Sequence, residues 1–223
     1  MREIVLDTET TGFNPEEGDR IVEIGCIELI NHIPSGNSYH RYINPERDMP
    51  EAAFRVHGLS EQFLRGHKVM AEEMEEFLDF IGEAQLVIHN AQFDMKFLNA
   101  ELSRLGKPVL PMERSIDTVA MARQKFPGAQ ANLDALCRRF GIDNSARTRH
   151  GALLDAELLA EVYLELIGGR QHGLSLDAGD EEANASITLE IRAPRPHRAS
   201  DAERAAHEMF LNKIKEPLWR RTR

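Results

Sequence analysis

The strongest constraint on the fold lies at the front of the chain, where the apolar run Ile4-Val5-Leu6 passes directly into Asp7-Thr8-Glu9. Such a run reads as a strand, and a strand alternates its side chains between faces. Asp7 and Glu9 therefore share one face and Thr8 takes the other. Two carboxylates side by side repel each other, and burying them is costly unless cations share the site. Donors that are all oxygen suit Mg²⁺ or Mn²⁺ rather than zinc. The same pair at an exposed strand end is ordinary solvated surface, so this segment alone leaves both readings open.

Strand patterns cover residues 4–9, 20–30 and 37–43, with Gly12, Asn14-Pro15 and Pro34-Ser35-Gly36-Asn37 as the turns between them. Helical periodicity takes over at 71–81, where Met74, Phe77, Leu78 and Ile81 share a face. A second buried strand is expected at 86–89, then a helix at 92–105 stopped by Gly106 and Pro108. Helices at 117–125 and 132–140 begin on Asp117 and Asn132, side chains able to cap free backbone N–H groups, and 151–167 reads as one long amphipathic helix. The texture changes at Gly168-Gly169. Residues 1–168 are thus one expected domain, 169–201 a flexible linker and 202–223 a terminal segment. Within that segment Ala206, Met209, Phe210 and Ile214 form an apolar stripe, followed by Leu218-Trp219, and such a face needs a partner.

Cys26 and Cys137 sit in apolar periodic segments and read as reduced core thiols. No apolar run approaches the ~20 residues that cross a bilayer. The first residues enter a strand at once, which fits neither a signal nor a transit peptide, so a cytoplasmic protein without membrane contact is expected.

Further carboxylates recur downstream. Asp94 closes His89-Asn90-Ala91-Gln92-Phe93-Asp94, in the first turn of a helix that buries Phe93, Phe97 and Leu98, where a lone Asp also reads as a partner of the helix dipole. His150 and Asp155 bracket the start of the last domain helix in His150-Gly151-Ala152-Leu153-Leu154-Asp155. Five helical positions span ~140°, so both face one site only if His150 precedes the helix. A structural His and a second dipole partner are the plainer alternatives.

Taken together, these three motifs resemble the DEDDh exonucleases. The resemblance implies a ribonuclease H-like α/β fold, a mixed central sheet flanked by helices, with a flexible C-terminal extension. It makes Asp7, Glu9 and Asp155 ligands of two divalent cations, Mg²⁺ or Mn²⁺. Asp94 completes the carboxylate set and His150 is the general base. The implied activity is removal of nucleotides from a single-stranded 3′ DNA end. Glu51 and His57, in the segment Pro50-Glu51-Ala52-Ala53-Phe54-Arg55-Val56-His57-Gly58-Leu59, are the implied substrate contacts. Asp7, Glu9 and Asp155 would reach the substrate as well, and Thr10, Thr11 and Phe93 either line the same pocket or are turn and core residues.

Within the family the chain resembles the proofreading subunits of bacterial replicative polymerases. Asn132-Leu133-Asp134-Ala135-Leu136-Cys137 carries part of this, although other DEDDh enzymes share it. Gln171-His172-Gly173-Leu174-Ser175-Leu176 resembles the peptide that grips a sliding clamp, with Gln171, Leu174 and Leu176 as anchors, a plain linker being the alternative. The segment from Ala205 to Trp219 resembles the part that binds the polymerase alpha subunit, and the family also implies a small theta subunit. A net charge of −10 predicts poor unaided affinity for DNA and suits an enzyme handed its substrate by a partner. The competing readings are a DEDDh enzyme for RNA ends, with the same catalytic residues, and a mainly structural bridge between polymerase and clamp.

Overall fold

The structure is a computed structural model describing residues 1–145, 147, 149–169 and 198–217. Its sheet is built from β1 (Arg2–Thr10), β2 (Ile21–Ile30), β3 (Ile33–Tyr42), β4 (Gln85–Ile88) and β5 (Ser115–Asp117) in the order β3-β2-β1-β4-β5. The first three strands form an antiparallel meander, and β4 and β5 add in parallel on the other side of β1. The helices of this unit are α1 (Glu51–His57), α2 (Glu61–Leu64), α3 (Met70–Ile81), α4 (Ala91–Arg104), α5 (Thr118–Lys125), α6 (Leu133–Phe140) and α7 (Ala152–Leu166).

Central β1 is covered on both faces, which is why it reads as an unbroken apolar run rather than an alternating one. Ile4 and Leu6 pack with Met74, Phe77 and Phe97 of α3 and α4. Val5, on the other face, packs with Leu136, Leu159 and Val162 of α6 and α7. The same parity carries Asp7 and Glu9 toward the α7 side and Thr8 toward α4. α7 is fixed along the sheet at both ends. Near its C-terminus Tyr163 donates a 2.7 Å hydrogen bond to buried Glu3 of β1. At its start the backbone of Ala152 and Leu153 lies over Gly25 of β2, where a Cβ would come within 2.3 Å.

The hairpin between β2 and β3 differs from expectation. It turns at Asn31-His32, both left-handed with φ of 52° and 67°, and the Pro34–Asn37 segment that reads as a turn lies within β3. Proline is tolerated there because β3 is an edge strand, and Ser35 and Asn37 donate side-chain hydrogen bonds to Glu28. Asp117 and Asn132 cap α5 and α6 as expected, accepting from the N–H of Val119 and of Ala135. Cys26 and Cys137 are buried free thiols. Among the described residues no helix is long and apolar enough to cross a membrane.

The chain divides into compact units, Met1–Leu174 and Ser175–Arg223. In the second, α8 (Asp201–Leu211) is capped by Ser200 and Glu203, and Met209 and Phe210 are exposed. Gln171, Leu174 and Leu176, as well as Leu218 and Trp219, lie outside the described residues.

Candidate active site

Four elements deliver carboxylates to one cavity of about 270 Å³: β1 brings Asp7 and Glu9, α4 brings Asp94, α6 brings Asp134, and α7 brings Asp155. His150, from the loop before α7, completes the motif residues on its lining. Asp94 and Asp155 are each 3% exposed and Glu9 is 9% exposed. Thr8, on the opposite face of β1 from its neighbours, donates a 2.6 Å hydrogen bond from Oγ1 to Asp94 Oδ1. α4 is aimed by the turn before it. Asn90 is left-handed at φ 68°, its N–H donates to Asp117 Oδ1, and His89 Nδ1 lies 2.9 Å from Thr118 Oγ1. β5 and α5 thus hold the strand-to-helix turn that sets Asp94. His150 precedes the helix, as its spacing from Asp155 requires, and its backbone N–H donates to the Val56 carbonyl at 3.3 Å.

Burial dominates the electrostatics, and the crowding of like charges adds to it. Burial, reinforced by Asp94, Glu9 and Asp155, pushes the Asp7 carboxyl well above the usual carboxylate range. Glu9 is pushed up to about 8 by burial, then by Asp155, Glu23 and Asp94. Asp94 rises to about 7 through burial, although the Thr8 hydroxyl works against it. Asp155 is the exception. Burial would raise it too, but the hydrogen bonds and the charge of Arg147 hold it below its ordinary value.

Arg147 is a site residue that the motifs do not announce. Its Nε and Nη2 grip the two oxygens of Asp155 at 2.5 and 2.7 Å, its Nη1 reaches Asp134 Oδ1 at 2.8 Å, and Nη2 lies 2.7 Å from His150 Nδ1. In the sequence it is one basic residue in the polar loop before His150, and Arg149 gives the same signal.

The model described as Exonuclease matches residues 4–163 of this chain. Over 222 residues the chain is 48% identical to the DNA polymerase III subunit epsilon of Rickettsia felis, covering 96% of this chain and 97% of that one. It is 43% identical over 236 residues to the protein of that name from Salmonella typhimurium, covering 98% and 97%. The chain is an exonuclease of the DNA polymerase III epsilon family. Metal-dependent 3′–5′ exonucleolysis is its activity, as the three motifs imply. Among solved structures, the nuclease domain of 3′hExo, a DEDDh family member bound to rAMP, matches with a TM-score of 0.65 at 18% identity over 74% of this chain and 91% of that one. Exonuclease X in complex with 5′ overhanging duplex DNA gives 0.58 at 23% identity over 74% and 90%. These likenesses establish the ribonuclease H-like fold, a mixed sheet flanked by helices.

The donor set of this epsilon-family site fits divalent cations. Ligand atoms of Glu9, His150 and Asp155 lie within 4.8 Å of one another, and Asp7 and Asp94 line the same cavity without joining that trio. The expected ligand set was Asp7, Glu9 and Asp155; the tighter trio contains His150 because Arg147 ties both His150 and Asp155 to itself. Carboxylates raised by burial and by their neighbours' charges are the chemistry a hard cation relieves.

A second cavity of about 420 Å³ shares Thr8, Glu9 and Phe93 with the first and is lined also by Thr10, Thr11, Phe13, Val56 and His57. Thr10 and Thr11 play the turn role as well, donating to the Gly12 carbonyl and to Asp19 Oδ1. His57 closes α1, and its Nδ1 accepts from the Leu59 N–H at 3.0 Å. Burial lowers its pKa, which keeps the ring neutral. Glu51 is placed differently. It is exposed at the start of α1, paired with Arg55, and not among the residues lining this cavity.

Proposed function

We propose that this epsilon-family exonuclease trims single-stranded 3′ ends of DNA as the proofreading subunit of a replicative polymerase. Asp7, Glu9 and Asp155 would hold two divalent cations, Mg²⁺ or Mn²⁺, with Asp94 completing the set. What carries the reading is the convergence of four carboxylates from β1, α4 and α7 into one cavity with His150 on its lining. Such cations, when bound, lower the pKa of water and neutralise the departing oxygen.

His150 is half-exposed, with its side chain 47% accessible, so its ring is open to an attacking water as the general base. The neighbouring 420 Å³ cavity would seat the terminal nucleotide, with Phe93 offering a ring face and His57 shaping the wall. Glu51 would reach the terminal sugar only after releasing Arg55. Products are a 5′-mononucleotide and a strand one residue shorter.

For partners we propose the polymerase alpha subunit on the 202–223 segment, the sliding clamp on Gln171, Leu174 and Leu176, and a theta subunit on the catalytic domain. The division into domain, linker and terminal segment at 168 and 201 belongs to the same reading, as does a cytoplasmic location. The net charge of −10 supports a substrate delivered by a partner rather than captured from solution. Identity of 48% to a protein named for a DNA polymerase favours DNA ends over RNA ends. The retained catalytic set disfavours a purely structural bridge.

The test is release of mononucleotides from 3′-labelled single-stranded DNA and its RNA equivalent in Mg²⁺ or Mn²⁺, comparing wild type with Asp7→Ala and His150→Ala. Loss of DNA cleavage in both variants is expected. A strong preference for RNA transfers the protein to the RNA-trimming branch, and cleavage insensitive to both substitutions removes the proposed catalytic roles.

A further inference from the structure

We infer that Arg147 is a tethered cation that competes with a divalent ion for Asp155 and for free access to His150. The inference rests on the reading of Asp155 as a metal ligand. The Arg147 fork uses both oxygens of Asp155, at 2.5 and 2.7 Å, in the bidentate geometry that guanidinium and carboxylate form best. A hard divalent ion seeks the same two oxygens at about 2.0 to 2.6 Å, and although a carboxylate has lone pairs to spare, the ion's charge repels a guanidinium held a hydrogen bond away. The competition is one of charge and space. The Arg147 side chain is 9% exposed, so it sits inside the cavity rather than at its rim.

A place for the displaced guanidinium already exists. Nη1 of Arg147 is 2.8 Å from Asp134 Oδ1, and Asp134, in the first turn of α6, has a side chain 44% exposed. Asn144 donates to that same Oδ1 at 2.9 Å, which ties the loop carrying Arg147 to α6. Asp134 already holds Nη1, so a guanidinium that lets go of Asp155 keeps a carboxylate partner.

The exchange also reaches His150. Arginine has no acceptor atom, so Nδ1 of His150 must be the acceptor of the Arg147 Nη2 bond at 2.7 Å. While that bond stands, the imidazole is pinned toward Asp155, 3.3 Å away. Cation entry at Asp155 would break the Arg147 contacts together and release the ring. Arg147 is thus a positioning residue: it offsets the repulsion among the carboxylates before the cation arrives and makes release of His150 depend on cation binding.

Mn²⁺ binding to the full chain without DNA, followed by titration calorimetry, tests this on wild type, Arg147→Gln, Arg147→Lys and Asp155→Asn, with melting temperatures in EDTA and in Mn²⁺. Arg147→Gln should bind Mn²⁺ about tenfold more tightly, the effect of removing one charge-assisted competitor. It should melt below wild type in EDTA and recover most of that loss in Mn²⁺, which also shows that it folds. Arg147→Lys, which keeps charge but not the fork, should fall between. Unchanged or weaker Mn²⁺ binding by Arg147→Gln, with binding lost in Asp155→Asn, overturns the competition and leaves the ligand assignment standing. Mn²⁺ binding that survives Asp155→Asn undamaged overturns both.

Discussion

Gly25 is not part of any catalytic motif, yet replacing it should damage catalysis more than replacing the glycine inside one. It stands opposite Asp7 in the β1–β2 ladder, at the point where the start of α7 crosses the sheet. A Cβ at Gly25 would lie 2.3 Å from the Ala152 carbonyl carbon and the Leu153 nitrogen, about 1.1 Å inside the 3.4 Å where ordinary contact begins. Both obstacles are backbone, so relief requires the first turn of α7 to lift by roughly that amount. Asp155 moves with it, away from Asp7 and Glu9. Overpacking of this kind costs about 1 to 3 kcal/mol, and a displacement near 1 Å at a catalytic group costs on the order of 10²-fold in rate. Gly25→Ala should therefore fold, melt several degrees below wild type, and lose about 10²-fold in kcat/KM for mononucleotide release. Gly151→Ala is the control, because a Cβ there meets nothing within 4 Å and its φ of −154° suits any residue. It should retain activity within a few-fold. If Gly25→Ala cleaves as fast as wild type, the close approach of β2 and α7 does not set the position of Asp155, and the packing argument fails.

Other outcomes follow from the same geometry. Thr8→Val keeps the shape of the side chain but removes the donor to Asp94, a group already near 7, and should push its pKa higher. The Mn²⁺ concentration for half-maximal rate at pH 7 should rise, and an unmoved value would deny Thr8 that role. Glu101 is 1% exposed and accepts the Arg20 fork at 2.6 and 3.0 Å, joining α4 to the start of β2. Glu101→Ala leaves Arg20 only the Pro45 carbonyl and Glu46 and should cost about 2 to 3 kcal/mol in thermal or urea unfolding, below the cost of a wholly unpaired buried charge; a loss under 1 kcal/mol would mean that the pair is dispensable. The raised carboxyls make stability depend on pH. Glu9 near 8 and Asp94 near 7 hold protons in the folded protein that the unfolded chain has lost, so without cations their penalty grows from about pH 4 and is complete above 8. Neutral His57 and His89 act in the opposite sense near pH 6.5, so the comparison needed is the wild-type melting curve in EDTA against that of Glu9→Gln. Wild type should lose stability relative to that variant between pH 6 and 8, and Mg²⁺ should cancel the loss. A wild-type curve that gains on the variant would reverse the sign.

The residues legible in the sequence were those whose chemistry restricts residue type. A strand that ends in two carboxylates, a His-to-Asp spacing across a helix start, and Asp or Asn at a helix cap each follow from local period and donor chemistry. Asp7, Glu9, Asp94, His150 and Asp155 do meet in one cavity for that reason. What stayed hidden depends on contacts between distant segments. Gly25 is demanded only by the backbone of α7, and Arg147 is distinguished from Arg149 only by reaching Asp155 and Asp134. The three residues of β5 carry no periodicity and are a strand only because β4 lies beside them. α1 and α2, with seven and four residues, are too short for a helical stripe to show. The turn at Asn31-His32 was masked by the stronger turn composition of Pro34–Asn37, which an edge strand tolerates.

The carboxylates that meet in the cavity are contributed at positions 7, 9, 94, 134 and 155, and α7, which carries the last of them, is the final helix of its unit. A chain that has not yet reached residues 152–166 therefore carries β1 and α4 without the Asp155 corner of the site. Contacts so distant in sequence form late in folding. The site is accordingly complete only when α7 closes on the sheet and the domain folds as a whole.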